Sequence, residues 1–345
     1  MQVSSIKHLV LSGGGMLGIS YIGLIKYLEE NLQTSLQNNL LSITGCSAGA
    51  MFGSLIAIGC TYKELITIIK TMNFKEYMNI NAESIINFMR VKGLESGKTL
   101  INFIKNIIKE KTNNENITFK EIKDKYNIEL QIGVTNLSKS IFELMNSVKT
   151  PDIPIHKAIS ASIAIPFVFE PIVIGDDIFC DGGILNNLPI ETIFEYKNEE
   201  SKDQKKDKTK KDETKKDETK KDETKKDETK KDETKKDETK KDETLIEEFI
   251  LGCYLINKID SINKDNYQTI PLSNYMSNLL YTLSSEFINK KIQLNNIINN
   301  NDEKYKIIIF KIPCDIMTFL KIKSSHEDID NIINIAYNTS IESFS

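Results

Sequence analysis

"LLSITGCSAGAMFGSLIAIGC", residues 40–60, passes from a short apolar run through Gly45, Cys46, Ser47, Ala48 and Gly49 into a second, longer apolar run. The first run has the length of a strand and the second has helical spacing, so the simplest reading is strand, tight turn, helix. Ser47 sits at the turn in the spacing G-x-S-x-G. In a nucleophile elbow, glycines two residues to either side let main chains pass without Cβ clashes, and the serine hydroxyl is presented at the tip of a strained turn. Ala48 and Ala50 keep the start of the helix clear. A pattern with only three fixed positions also arises by chance, so an ordinary serine at a glycine-rich bend competes with the nucleophile.

The same order of elements recurs on both sides. "IKHLVLS" (6–12) is an apolar run ending in glycines, and it leads into "MLGISYIGLIKYLEE" (16–30), which has helical periodicity. "IFCDGG" (178–183) runs into "NNLPIETIFEY" (186–196), read as a third strand and helix. "EFILGCYLIN" (248–257) and "YKIIIFKIP" (305–313) read as strands, with helical stretches between and after them. Such alternation predicts an α/β sheet covered by helices on both faces. Residues 62–127 read as mostly helical. Within them Leu100, Ile101, Ile104, Ile107 and Ile108 fall on one side of a helix, which is a core-facing stripe or, alternatively, a lipid-facing lid.

Composition narrows the function classes. The 345 residues are 40% hydrophobic, enough for a sizeable core, and the formal net charge is -4. Residues 205–244 carry 17 lysines against 15 acids, so the remainder is mildly acidic. No concentrated positive field of the kind that binds nucleic acid is expected. Five cysteines, at 46, 60, 180, 253 and 314, form no C-x-x-C pair and fit a reducing compartment better than a disulfide framework or a zinc site. The N-terminal residues lack a signal-peptide pattern and no apolar run approaches the ~20 residues that span a bilayer. These features predict a soluble, cytoplasmic protein with at most peripheral membrane contact.

Residues 210–244 are seven identical copies of K-K-D-E-T, preceded by a degenerate copy at 205–209. Each exact unit is neutral and has nothing apolar to bury, so no core offsets the entropy of ordering it. Helical i,i+4 pairs such as Asp212 with Lys216 contribute only ~0.2–0.5 kcal/mol each. The segment is expected to be a solvated insert interrupting a domain, or else a charged interaction tether.

Two further stretches bear on chemistry. "SGGGMLG" (12–18) contains G-x-G-x-x-G, but the next strand ends at Thr44 without the carboxylate that a dinucleotide site requires. The other chemical reading is an oxyanion hole, whose backbone N–H groups stabilise the charge formed when Ser47 attacks a carbonyl, at roughly 3–4 kcal/mol per donor. A plain glycine turn is the bland one. For the base, only His156 and His326 follow the serine in the order a Ser, acid, His triad needs, and both look structural. Asp181 ends a strand before Gly182 and Gly183, and its carboxylate could reach Ser47 if the two strands are neighbours. A carboxylate is a poor match for a hydroxyl proton, so desolvation or the oxyanion hole must assist. An ordinary Asp-Gly turn is the competing reading there.

The set "SGGGMLG", "GCSAGA", "ISASIAIPFVFEPIVI" (159–174) and "CDGGILNNLPI" (180–190), in this order and spacing, resembles the patatin-like phospholipase family. "GLESGKTL" (93–100), "ITFKEI" (117–122) with "LQIGVTNL" (130–137), and the terminal "KIPCDIMTFLKIKSSHEDIDNIINIAY" (311–337) fit as well. The resemblance runs from about residue 5 to 340, broken by the repeat.

It implies a three-layer α/β/α fold around a mostly parallel sheet. The catalytic domain would then occupy 1–199 and 245–345, with the insert at 200–244. It implies a Ser-Asp dyad in which Ser47 is the nucleophile and Asp181 the general base, with Gly14, Gly15 and Met16 supplying oxyanion-hole amides, and Asn187 and Pro189 packing behind Asp181. The activity implied is hydrolysis of acyl esters of phospholipids or neutral glycerolipids through an acyl-enzyme, without metal or other cofactor. Many relatives carry Lys or Arg where Leu17 stands, which puts a basic contact near the oxyanion hole in doubt. The run "ASIAIPFVF" (161–169) and the 62–127 helices could line an apolar groove, or be core. An idle lipid-binding or scaffold protein that keeps the fold is the alternative to an enzyme.

Overall fold

The computed structural model describes residues 2–32, 34–72, 82–193, 248–257, 305–314 and 326–344. The KKDET repeat, the boundaries at 199 and 244, and the helical stretch expected between the last two strands lie outside the described residues. Described residues up to Ile190 and from Glu248 onward belong to one compact unit.

That unit is a mixed α/β structure. In chain order its first half contains β1 (Ile6–Leu11), α1 (Tyr21–Glu30), β2 (Ser42–Cys46), α2 (Ala48–Ala57), α3 (Tyr62–Thr71), α4 (Ala82–Val91), β3 (Gly93–Glu95), α5 (Lys98–Thr112) and α6 (Phe119–Tyr126). There follow β4 (Glu129–Asn136), β5 (Ile141–Met145), α7 (Ile155–Ser162), β6 (Phe167–Phe169), β7 (Ile172–Ile174) and β8 (Asp177–Asp181). Further along the chain stand β9 (Glu248–Asn257), β10 (Tyr305–Cys314) and α8 (His326–Phe344).

The central sheet has the order β10-β9-β1-β2-β4-β8-β7, with β5 also on β4. Pairs from β10 through β4 are parallel, and β5, β7 and β8 join antiparallel. Every residue of β2 and β4 is buried. Strands buried throughout require cover on both faces, and their polar residues are paired inside, Thr44 donating to Gln131 Oε1 at 2.9 Å.

The register places the chemistry. Strand β5 pairs with Ile132–Asn136 along one edge of β4. The other edge is therefore shared, β2 pairing with Glu129–Gly133 and β8 with Val134–Asn136. Parallel β2 and antiparallel β8 thus meet head to head, Cys46 opposite Gly133 and Asp181 opposite Val134. The strands that carry Ser47 and Asp181 abut end to end on a common partner, which brings their tips together.

Local sequence explains the helices. Thr61 and Glu64 form a capping box at α3, and Thr118 and Glu121 form another at α6. The α5 stripe is core-facing, with Ile104, Ile107 and Ile108 buried. Within the stretch read as mostly helical, Gly93–Glu95 instead pairs in parallel with Phe167–Phe169 as a small second sheet. Of the stretch 186–196 expected as a helix, Asn186 ends a short helix at Gly183–Asn186, Thr192 and Ile193 are helical, and 194–196 lie outside the described residues. Pro189, lacking an N–H and disfavouring helix in the residue before it, accounts for the break.

Candidate active site

Ser47 joins β2 to α2 with φ 53 and ψ -120. A non-glycine residue held there costs on the order of 1–3 kcal/mol and persists only where its surroundings enforce it. The flanking glycines do so by close approach. A Cβ on Gly45 would stand 2.3 Å from the Gly49 carbonyl oxygen, and one on Gly49 would stand 2.2 Å from the Leu11 carbonyl oxygen. The G-x-S-x-G spacing is thus required for α2 to lie against β1 and β2.

A residue that the sequence did not single out fixes the same turn. The Ser47 amide donates to the Ser162 hydroxyl at 2.8 Å, and that hydroxyl donates to the Gly133 carbonyl at 2.7 Å. Ser162 ends α7 and is completely buried. It ties the elbow to β4 at the point where β2 and β8 meet.

Asp181 lies at the end of β8, its amide bonded to the Ala164 carbonyl at 2.9 Å. Its carboxylate accepts the Gly183 amide at 2.7 Å. Both residues are 5% exposed. Burial pushes the Asp181 carboxyl up to about 6, against the opposing pull of the Ser47 side chain and the Gly183 hydrogen bond.

The glycine loop closes the site. Asn187 accepts the Gly13 amide through its side chain at 2.9 Å and its backbone carbonyl at 3.3 Å, and its Nδ2 donates to the Gly13 carbonyl at 3.3 Å. A Cβ on Gly13 would meet Asn187 Oδ1 at 2.4 Å and Ser47 Cβ at 2.9 Å, so the loop runs directly past the serine. The Gly13 N–H is therefore committed. Gly14, Gly15 and Met16 open the 3₁₀ turn Gly15–Ser20, whose first loop bond runs from the Leu17 amide to the Gly14 carbonyl at 3.1 Å. Their N–H groups precede it and so lack intrahelical acceptors. Gly15 has φ 55 and open space around it. Leu17, where a basic residue was weighed, is buried.

The histidines lie elsewhere. His8 Nδ1 is 2.8 Å from the Ser42 hydroxyl, and exposed His326 is 3.2 Å from the Lys70 carbonyl. His156 is near the N-terminal end of α7, about 9 Å along the helix from Ser162, and burial together with Lys105 and Lys157 holds its imidazole below the usual range. Cys180 beside Asp181 is buried and pushed up to about 12, which keeps its thiol neutral. In the run 161–169, Ala161, Ser162 and Ala164 are core while Phe167 is exposed.

The structure thus gathers a serine on a strand-to-helix elbow, a buried carboxylate and a glycine loop at one place. Residues 9–194, more than half of the chain, match the profile of patatin-like phospholipases, and the chain belongs to that family. It is 31% identical over 192 residues to the uncharacterized protein R571 of Acanthamoeba polyphaga mimivirus, covering 56% of this chain and 62% of that one. It is 29% identical over 198 residues to the probable lipid hydrolase 463L of Invertebrate iridescent virus 6, covering 57% and 66%. The chain thus spans somewhat less than two thirds of the length of these relatives. Among solved structures, VipD from Legionella pneumophila aligns over 98% of this chain and 66% of its own, with 17% identity and a TM-score of 0.46.

Proposed function

We propose that the protein is a lipid acyl hydrolase, a phospholipase A-type enzyme or related glycerolipid esterase, working through a Ser47–Asp181 dyad. The observation that carries this reading is the meeting of the β2 and β8 ends on β4, which sets Ser47 beside the buried Asp181 carboxylate, whose pKa burial pushes up to about 6. Desolvation raises the basicity of Asp181 enough to draw the hydroxyl proton while leaving it ionised at neutral pH. Ser47 Oγ then attacks the ester carbonyl, and the N–H groups of Gly14, Gly15 and Met16 receive the developing oxyanion, roughly 3–4 kcal/mol per donor. Asp181 passes its proton to the leaving alkoxide, giving an acyl-enzyme. Water attacks this acyl group with Asp181 taking its proton and passing it to Ser47 Oγ as the fatty acid leaves, which restores the hydroxyl and the carboxylate. The family membership and the relative named as a probable lipid hydrolase support a lipid ester as substrate.

The test is a mass-spectrometric screen of lipids consumed by the wild type and spared by Ser47→Ala. Asp181→Asn should abolish hydrolysis and His326→Ala should leave it largely intact. The reverse pattern would overturn the dyad.

A further inference from the structure

Helix α4 carries its polarity inside out. Its outward positions are Ile85, Ile86, Met89 and Arg90, with Ile86 78% and Met89 73% exposed, whereas Ser84, Asn87 and Phe88 are half-buried. A helix at the surface of a globular protein normally turns its polar side to water, and a contiguous apolar face left in solvent marks a contact surface. The Phe88 ring lies 6.2 Å from that of Phe167, and Phe167 is itself exposed, with φ 70. The apolar face therefore extends from α4 onto β6.

This face is joined to the catalytic residues. Phe167 stands three residues beyond Ala164, whose carbonyl takes the Asp181 amide, so at most about 11 Å of main chain separates the two. Strand β3, which follows α4 directly, pairs with β6. C-terminal to the apolar residues are three exposed cations, Arg90, Lys92 and Lys98, against Glu83 on the N-terminal side, while Glu95 on β3 and Glu170 just after β6 are half-buried. Lys92 Nζ donates to the Met89 carbonyl, which holds one cation against the apolar face. Apolar side chains bordered by cations match a bilayer whose acyl region lies beneath anionic headgroups.

We infer that the outer face of α4, together with Phe167, is the surface through which the protein sits on an anionic lipid bilayer, with the Ser47 site beside it. The purpose of this contact rests on the lipid-hydrolase reading; the contact itself does not.

Co-sedimentation of the full chain with vesicles of phosphatidylcholine, with and without phosphatidylserine, tests it. Three proteins are compared: wild type, Ser47→Ala, and the double variant Ile86→Glu with Met89→Glu, whose native fold is checked by thermal melting. A short-chain soluble ester is assayed in parallel. Wild type and Ser47→Ala should bind phosphatidylserine vesicles equally and bind pure phosphatidylcholine more weakly. The double variant should lose about tenfold or more in vesicle binding and keep its turnover of the soluble ester. Arg90→Ala with Lys92→Ala, a second probe that leaves the apolar face intact, should weaken only the phosphatidylserine-dependent part. Vesicle binding unchanged in both double variants overturns the inference. So does a wild type that pairs with a second copy through this face, seen as a dimer broken by the Glu substitutions while vesicle binding persists. Vesicle binding with the expected losses, but no ester turnover by the wild type, upholds the surface and sinks the hydrolase reading.

Discussion

Cys46 and Asp181 occupy consecutive places along one edge of β4, opposite Gly133 and Val134. Two strands running in opposite directions end there, so the residue after Cys46 and the last residue of β8 face each other across a single junction. Ser47 and Asp181 need no loop to bring them together.

The pH dependence follows from the buried carboxylate. With Asp181 near 6 and required ionised, kcat/KM for a soluble ester should fall about tenfold per pH unit below that value and level off above it. A pH profile measured with the free enzyme in excess checks this. An acid limb centred near 4 would mean the desolvation is absent.

The same shift predicts that activity is held at a cost in stability. A carboxyl raised from 3.8 to about 6 binds its proton more tightly in the native state than in the unfolded chain. Its contribution to stability therefore rises as pH falls from about 6 towards 4, and the ionised form costs the fold about 3 kcal/mol at pH 8. Asp181→Asn should be inactive yet melt several degrees higher at pH 8, with the gap closing near pH 4. Thermal melts at the two pH values decide it.

Ser162→Ala leaves the Ser47 amide and the Gly133 carbonyl without their shared partner. Orphaning the buried amide should cost about 1–3 kcal/mol, and the carbonyl, which keeps the Cys46 thiol at 3.9 Å, loses less. Because one of them sets the elbow, kcat should fall by about tenfold or more while KM changes little. Steady-state kinetics beside a denaturation curve separate the two effects.

Asn187 offers a further check on the electrostatics. Its Oδ1 and Asp181 Oδ1 lie 2.7 and 2.9 Å from the point where a Gly183 Cβ would stand. Asn187→Asp would put a second carboxylate beside the first, and like charges that close disfavour joint ionisation. The acid limb of the pH profile should move upward by about one unit, whereas Asn187→Ala should weaken the Gly13 anchor without that displacement.

Gly49→Ala should be among the most disruptive single changes in the described residues. Its Cβ would meet main chain, the Leu11 carbonyl oxygen at 2.2 Å and its carbon at 2.6 Å, so no side-chain rotation relieves it. A loss of about 3 kcal/mol or more is expected, measured as the shift in denaturation midpoint.

Ser47 and the strand ends were legible in the sequence because both depend on local pattern: an apolar run, then small residues where chains must touch. Asp181 was legible for the same reason, as a carboxylate before two glycines. Which strand each would neighbour was not, since pairing order is set by non-local packing, and only the register on β4 shows the end-to-end meeting. Ser162 was invisible as well. A serine in "ISAS" carries no signal of its hydrogen bonds, which join it to residues far along the chain. The inverted face of α4 was passed over because Ile85, Ile86 and Met89 have the same helical spacing whether they point into a core or away from it. The break at Pro189 could have been read from the residue itself.

The most direct test of the dyad is covalent. Intact-mass measurement after brief exposure to a fluorophosphonate should show one adduct, mapped by peptide sequencing to Ser47, absent from Ser47→Ala and formed at least about a hundredfold more slowly in Asp181→Asn. An adduct on a different serine, or labelling of Asp181→Asn at the wild-type rate, would contradict the assignment.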